Sequence, residues 1–357
     1  MPSEISIRTR KRLWLRSGDR CAYPGCDQSL LEPISGADEV TIVGVECHIV
    51  SQKDSPRVAR SESSLTAAER EKFAALVENR HGYANLVLMC ARHSLVIDDP
   101  DAGFDVSKVV EIKHQHESAV ARLRTPEQRR DDEAVLRQAA IVEEWEWRIG
   151  LDQWEQRYGR IFGDGHPMML QEDLAKLADA RRWIFSRVWA GADQRLQAAF
   201  ENFRYVAQDL QLAFEQYPHE HLAGQGVIAI KRFYNDYAWM DQFKHDHGQL
   251  RQMYEWYANV LEDLALELAR SANLVCEAVR QSIDARYRLE QGLVVLESGP
   301  YMDFMTRLHR PQYKPEDGWS PYPGLQAFLV VRAQRDEHRG SGKPPSGLSL
   351  PGEFPLG

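Results

Sequence analysis

Two short segments set the terms for any fold of this chain: CAYPGC at residues 21–26 and CARH at residues 90–93. The first is a C-x4-C turn closed around Pro24-Gly25. The second sets Cys90 and His93 three positions apart at the start of a predicted helix, where such positions share a face. Tetrahedral zinc takes four soft or borderline ligands that two such segments can present together, so Cys21, Cys26, Cys90 and His93 read as a structural zinc site with no vacant position. The competing reading is a set of unmetallated thiols in an apolar core. Five cysteines in 357 residues make a poor disulfide framework, and short-spaced Cys/His pairs suit a metal better. Cys276 falls within an apolar helical pattern and reads as a small buried hydrophobe.

Between the two half-sites the chain reads as small alternating elements. Residues 5–17 predict a helix stopped by Gly18, and DEVTIVGVECHIVSQ predicts one or two strands ending near His48. A helix follows over LTAAEREKFAALVENR, with Thr66 and Glu69 spaced as a capping box, and ANLVLMCARHSLVID turns from strand to helix around Cys90. After a helix from Val106 to Arg124, Thr125-Pro126-Glu127-Gln128 starts another, which places a domain boundary between residues 125 and 126.

Residues 126–310 predict an almost wholly helical region. Trp147, Leu151, Trp154 and Tyr158 form one apolar stripe, and Leu196, Phe200, Phe203, Leu210, Phe214 and Tyr217 a second. The third begins with Leu250, Met253, Tyr257, Leu261, Leu264 and Leu268 and runs on through Val275, Val279 and Ile283. Such stripes describe a bundle or coiled-coil-like stalk able to form a homo-oligomer. Residues 311–357 are rich in Pro and Gly and predict a flexible tail. His114 and the pairs His219/His221 and His245/His247, lacking a second half-site in a helical or loop context, read as solvent-facing.

The net charge of -9 argues against indiscriminate coating of nucleic acid, and most of it lies in the helical half. Residues 8–20 carry six cations, Arg8, Lys11 and Arg12 among them, against the single acid Asp19. They offer either a phosphate contact or a solvated helix face. No apolar run suits a membrane span, and the N-terminus lacks the pattern of a secretory signal, so the expectation is a cytoplasmic chain with no membrane partner.

The pieces Cys47-His48-Ile49, Ser55-Pro56-Arg57, Arg70, Asn85-Leu86-Val87-Leu88-Met89-Cys90, His93, Ile97-Asp98 and Lys113 with His116-Glu117 stand in an order that resembles the HNH endonucleases of the ββα-metal fold. The likeness covers about residues 8–125 and is strongest to nuclease modules of bacterial anti-phage defence proteins. It implies an α+β N-terminal HNH domain over residues 1–125 ahead of the helical region. It also implies His48 as the general base and Asn85 as the residue holding the catalytic loop, with DNA as substrate, Arg57 as a further DNA contact, and Mg2+ or another divalent cation at the scissile phosphate.

One departure stands out. Where the family carries two adjacent histidines, this chain reads His93-Ser94. If His93 closes the zinc site, the catalytic cation must use Ser94, water, or Glu46 and Cys47; if His93 serves catalysis, zinc keeps three cysteines. Lys113, His116 and Glu117 lie one helical turn apart and face either phosphate or a surface ion network.

The resulting expectation is a DNA-cutting effector restrained by its helical half, an idea that fails if the isolated N-terminal module is no more active than the whole chain. Two rivals are a catalytically silent zinc module for DNA or protein binding, and a nuclease subunit working with a partner protein of a defence system. A Ser94→His variant that gains activity over a silent parent favours the former; co-purification of a partner favours the latter.

Overall fold

The computed structural model describes residues 5–33, 40–55, 58–163, 165–189, 193–217, 219–222, 224, 226–238, 240, 246–299, 304–314 and 321–340. Arg57, Pro56, His245 and residues 341–357 lie outside this set. The chain divides into two compact units, Met1–Glu143 and Glu144–Gly357.

The first unit opens with α1 (Ile7–Ser17), capped by the Ser6 side chain and ended by Gly18 in the left-handed region at φ 61°. Strands β1 (Leu31–Pro33) and β2 (Val40–Ile42) form one antiparallel ribbon. Strands β3 (Gly44–His48) and β4 (Leu86–Cys90) form a second, with Gly44 opposite Cys90 and His48 opposite Leu86. Every residue of β4 is buried, because α1 and the helix that directly follows the strand both pack on it. That explains the unbroken apolar run LVLM where a half-exposed strand would alternate. Gly44 is required at its place: a Cβ there would lie 2.7 Å from the Trp14 ring.

The capping box of Thr66 and Glu69 starts α2 (Ala67–Lys72), and Phe73 separates it from α3 (Ala74–Glu78). Helix α4 (Ala91–Asp98) continues directly from β4, and α5 (Val106–Leu123) packs on α1. Helix α6 (Pro126–Ile149) begins with the Thr125–Gln128 reciprocal hydrogen bonds. The expected boundary at 125–126 thus coincides with the start of α6, whereas the compact units divide inside this helix.

In the second unit, α7 (Trp154–Tyr158) precedes β5 (Met168–Leu170), α8 (Gln171–Phe185) and α9 (Gln194–Gln216). Next come β6 (His219–Leu222), β7 (Val227–Ile230) and the 36-residue α10 (His247–Ser282). Strands β8 (Leu296–Ser298) and β9 (Arg307–His309) and helix α11 (Leu325–Val331) complete the described order. Helices α9 and α10 pack along each other, and the second and third stripes supply their buried faces as expected. Cys276 is buried on α10.

Three expectations need correction here. The region is mainly helical as expected, but not almost wholly so: β5, β7 and β6 form an antiparallel sheet, and His219 and His221 sit on a strand of it. The first stripe breaks, since Trp147 is 72% exposed and Trp145 occupies the core instead. Gly150 at φ 62° ends α6 and starts a 3-10 turn, so the helical phase is lost between Trp147 and Leu151. Finally, residues 321–340 are not a loose tail. Arg332 pairs with Asp263, Asp336 with Arg270 and Arg339 with Glu262, fastening this segment to α10. Among the described residues no helix is long and apolar enough to cross a membrane.

Candidate metal centre and neighbouring histidines

The turn Tyr23-Pro24-Gly25-Cys26 is closed by the Cys26 amide on the Tyr23 carbonyl, with Gly25 at φ 77°, as a type II turn with proline in second place demands. It is docked by the Ala22 amide on the Leu88 carbonyl at 2.9 Å, which fixes Cys21 beside the end of β4. Cys90 ends that strand and His93 stands in the first turn of α4, its ring stacked on Tyr23 at 4.0 Å.

The donor atoms of Cys21, Cys26, Cys90 and His93 all lie within 4.8 Å of one another. His93 Nδ1 is 3.6 Å from Cys21 Sγ and 3.2 Å from Cys90 Sγ. A tetrahedral ion with Zn–S near 2.3 Å and Zn–N near 2.0–2.1 Å separates sulfur from nitrogen by roughly 3.6 Å. The cluster therefore fits a metal of zinc's size and preference. Burial pushes the Cys21 thiol up to about 12, so the pocket disfavours thiolate unless a cation enters with it.

His48 lies at the other end of the β3/β4 ribbon, about four residues or ~14 Å from Cys90. Asn85 braces the turn that follows it. The buried Asn85 side chain accepts the Val50 amide at 2.7 Å and donates to the Val50 and Arg80 carbonyls at 2.9 Å each. Its own carbonyl accepts the Ile49 amide at 2.8 Å. Burial, then the neighbouring His81, hold the His48 imidazole below its ordinary value, which favours the neutral ring.

Two residues near His48 were not singled out by sequence reasoning. Arg60, buried and at φ 55°, donates to the carbonyls of Ile49, Ile97 and His48 and pairs with Asp98 at 2.6 Å. Nothing in its local sequence sets it apart. His81 stands with its ring 5.4 Å from that of His48, nearly perpendicular at 79°. Its place four residues before Asn85, in the same loop, was the available signal.

The groups considered for a catalytic cation are engaged elsewhere. Glu46 receives Arg10 Nε at 3.1 Å and Trp14 Nε1 at 2.8 Å. Cys47 is buried, which raises its thiol, and its sulfur contacts the Val45 carbonyl. Ser94 donates to the Ala91 carbonyl at 2.8 Å within its own helix.

Lys113 and Glu117 pair at 2.5 Å, but as a largely buried bridge rather than a surface network. Glu117 also takes the Tyr83 hydroxyl, and His116 bonds the Ser17 carbonyl at 2.9 Å. The Lys113 ammonium lies 3.9 Å over the Tyr83 ring and the exposed Arg12 guanidinium 4.3 Å from it. Arg8 is exposed and Lys11 half-buried on α1.

The chain matches no protein-family model, no curated protein and no solved structure.

Proposed function

We propose that the first unit is a zinc-ordered DNA-binding module of the HNH type, and that it hydrolyses phosphodiester bonds at His48. What supports this reading above all is the ribbon that ends in His48, runs back into a Cys3His cluster and is cross-braced by Asn85. Zinc at Cys21, Cys26, Cys90 and His93 pins the β4–α4 junction to the CAYPGC turn, so its task is structural. His48 activates the attacking water, and Asn85 acts as a positioning residue for the turn that carries it. A divalent cation neutralises the scissile phosphate when bound. Arg8, Lys11, Arg12 and Arg57 are the candidate phosphate contacts. The role proposed for the chain is an effector of bacterial anti-phage defence, regulated by the second unit.

A second reading has its own support. Glu46, Cys47 and Ser94 each have another partner or environment, which favours a silent zinc module that binds DNA or protein without cutting.

The test pairs a zinc count with plasmid cleavage in Mg2+, Mn2+ and Ni2+, beside His48→Ala. One zinc per chain with cleavage lost in the variant upholds the nuclease. Zinc and DNA retention without cleavage under any of the three cations upholds the silent module.

A further inference from the structure

Two ring nitrogens near the proposed reaction centre, His48 Nε2 and His81 Nδ1, are buried and have no hydrogen-bond partner. Buried polar atoms are nearly always paired, and leaving one unpaired costs about 1–3 kcal/mol. Two such atoms on adjacent imidazoles call for a shared guest. An ion at ~2.0–2.1 Å from an imidazole nitrogen lies about 3.2 Å from the ring centre, so two rings sharing a tetrahedral ion stand roughly 5.2 Å apart. The observed separation is 5.4 Å, with the rings nearly perpendicular at 79°, an edge-to-face contact that leaves both nitrogens without a hydrogen bond.

The surroundings suit a cation as well. Two guanidinium groups close by are paired with carboxylates: Arg60 with Asp98 at 2.6 Å and Arg80 with Glu62 at 2.5 Å. Asn85 ties both arms of the pair together, bonding Val50 two residues after His48 and Arg80 one residue before His81. His81 also sits in a tight loop, where the Gly82 amide meets the Asn79 carbonyl at 3.0 Å and the Asn85 amide meets the Gly82 carbonyl at 2.9 Å.

We propose that His48 and His81 together hold a divalent transition-metal cation, through Nε2 and Nδ1, as a second centre separate from the Cys3His cluster. Two imidazoles favour Co2+, Ni2+ or Zn2+ over Mg2+, with Mn2+ the weakest binder of the first-row series. Two protein ligands leave positions for water and a phosphate oxygen, the open form of a catalytic site. The catalytic use of this ion rests on the nuclease reading above with one change: an Nε2 held by the ion has no lone pair for a proton, so in the loaded site the cation, by acidifying its bound water, would stand in for His48 as base. Its binding rests on neither that reading nor that change. His81 then fills the role that Ser94 leaves vacant, from a different segment of the chain.

The experiment loads the untagged full chain with one zinc, then titrates Ni2+ and Mn2+ by calorimetry and follows Mn2+ by its paramagnetic resonance. The comparison is with His48→Ala, His81→Ala and the milder His81→Gln, each checked for retained zinc and helix content. The proposal expects one further ion per chain, with affinity falling at least tenfold in every variant that keeps its zinc. Absence of a further ion in the parent chain, or unchanged affinity in His81→Gln, overturns it. Binding without plasmid cleavage keeps the site and removes the nuclease reading. His48-dependent cleavage with a metal titration indifferent to His81 does the reverse.

Discussion

Asn85→Ala removes three side-chain hydrogen bonds at one stroke: one accepted from the Val50 amide and two donated to the Val50 and Arg80 carbonyls. The two to Val50 are buried and the one to Arg80 part-buried; at about 1 kcal/mol net each, their loss destabilises the His48 turn by roughly 3 kcal/mol. That corresponds to ~150-fold in the equilibrium for local opening. The natural assay is amide hydrogen exchange on the zinc-loaded chain, read at Val50, with the Ala22 amide on the Leu88 carbonyl as a probe elsewhere in the same unit. Val50 should exchange about two orders of magnitude faster, and more than Ala22 does. Asn85→Asp is expected to be no milder, since it keeps the Val50 amide acceptor but turns a carboxylate oxygen toward two carbonyls. An acceleration below about tenfold in Asn85→Ala would refute the idea that this side chain braces the turn.

Other outcomes follow from the same geometry. Substituting Cys26 and Cys90 together by Ser should abolish bound zinc, counted with a chromophoric chelator after thiol modification; full retention would mean that the ion sits elsewhere. Arg60→Lys replaces a fork spanning three carbonyls and Asp98 with one ammonium, and should cost about 2–3 kcal/mol in urea unfolding of the first unit; a cost near zero would contradict this. Gly44→Ala drives a Cβ to 2.7 Å from the Trp14 ring and should destabilise by about 1–3 kcal/mol, with an unchanged melting temperature as the refuting result. In the second unit, burial raises Glu262 to about 7 and Asp263 to about 6, despite Arg339 and Arg332. Because folding raises both values, their stabilisation is full below the unfolded carboxylate range near 4. It is lost as pH rises through about 6–7. Melting curves from pH 5 to 8 should therefore flatten in Glu262→Gln, and a slope identical to the parent's would exclude this source.

The zinc half-sites were legible because short-range spacing alone decides them: C-x4-C makes a turn, and C-x2-H shares a helix face. The capping pairs Thr66/Glu69 and Thr125/Gln128 were legible for the same local reason. The meeting of His48 with His81 was not, since it depends on a loop folding back under tertiary hydrogen bonds. Arg60 was hidden more deeply: its partners are Ile49, just past β3, and Ile97 and Asp98 at the end of α4, two places distant from each other in sequence, and only the assembled unit makes its burial tolerable. In the second unit the α9 and α10 stripes read correctly because long helices average out local noise. The three- and four-residue strands β5, β6 and β7 offered no period to detect.

The pairing of Arg332 and Arg339 with residues 262 and 263 of α10 has a consequence in time. The second unit cannot complete its buried charge pairs until residue 339 has been made, about 200 residues after the first unit ends at Glu143. At ~5–20 residues per second of synthesis, the first unit spends roughly 10–40 s on the ribosome with its own sequence complete and its companion unfinished. Any restraint that relies on the finished second unit is missing during that interval. A metal drawn to the Cys3His cluster would offer a separate control over those seconds, because a site of buried thiols is complete only once its cation has been captured.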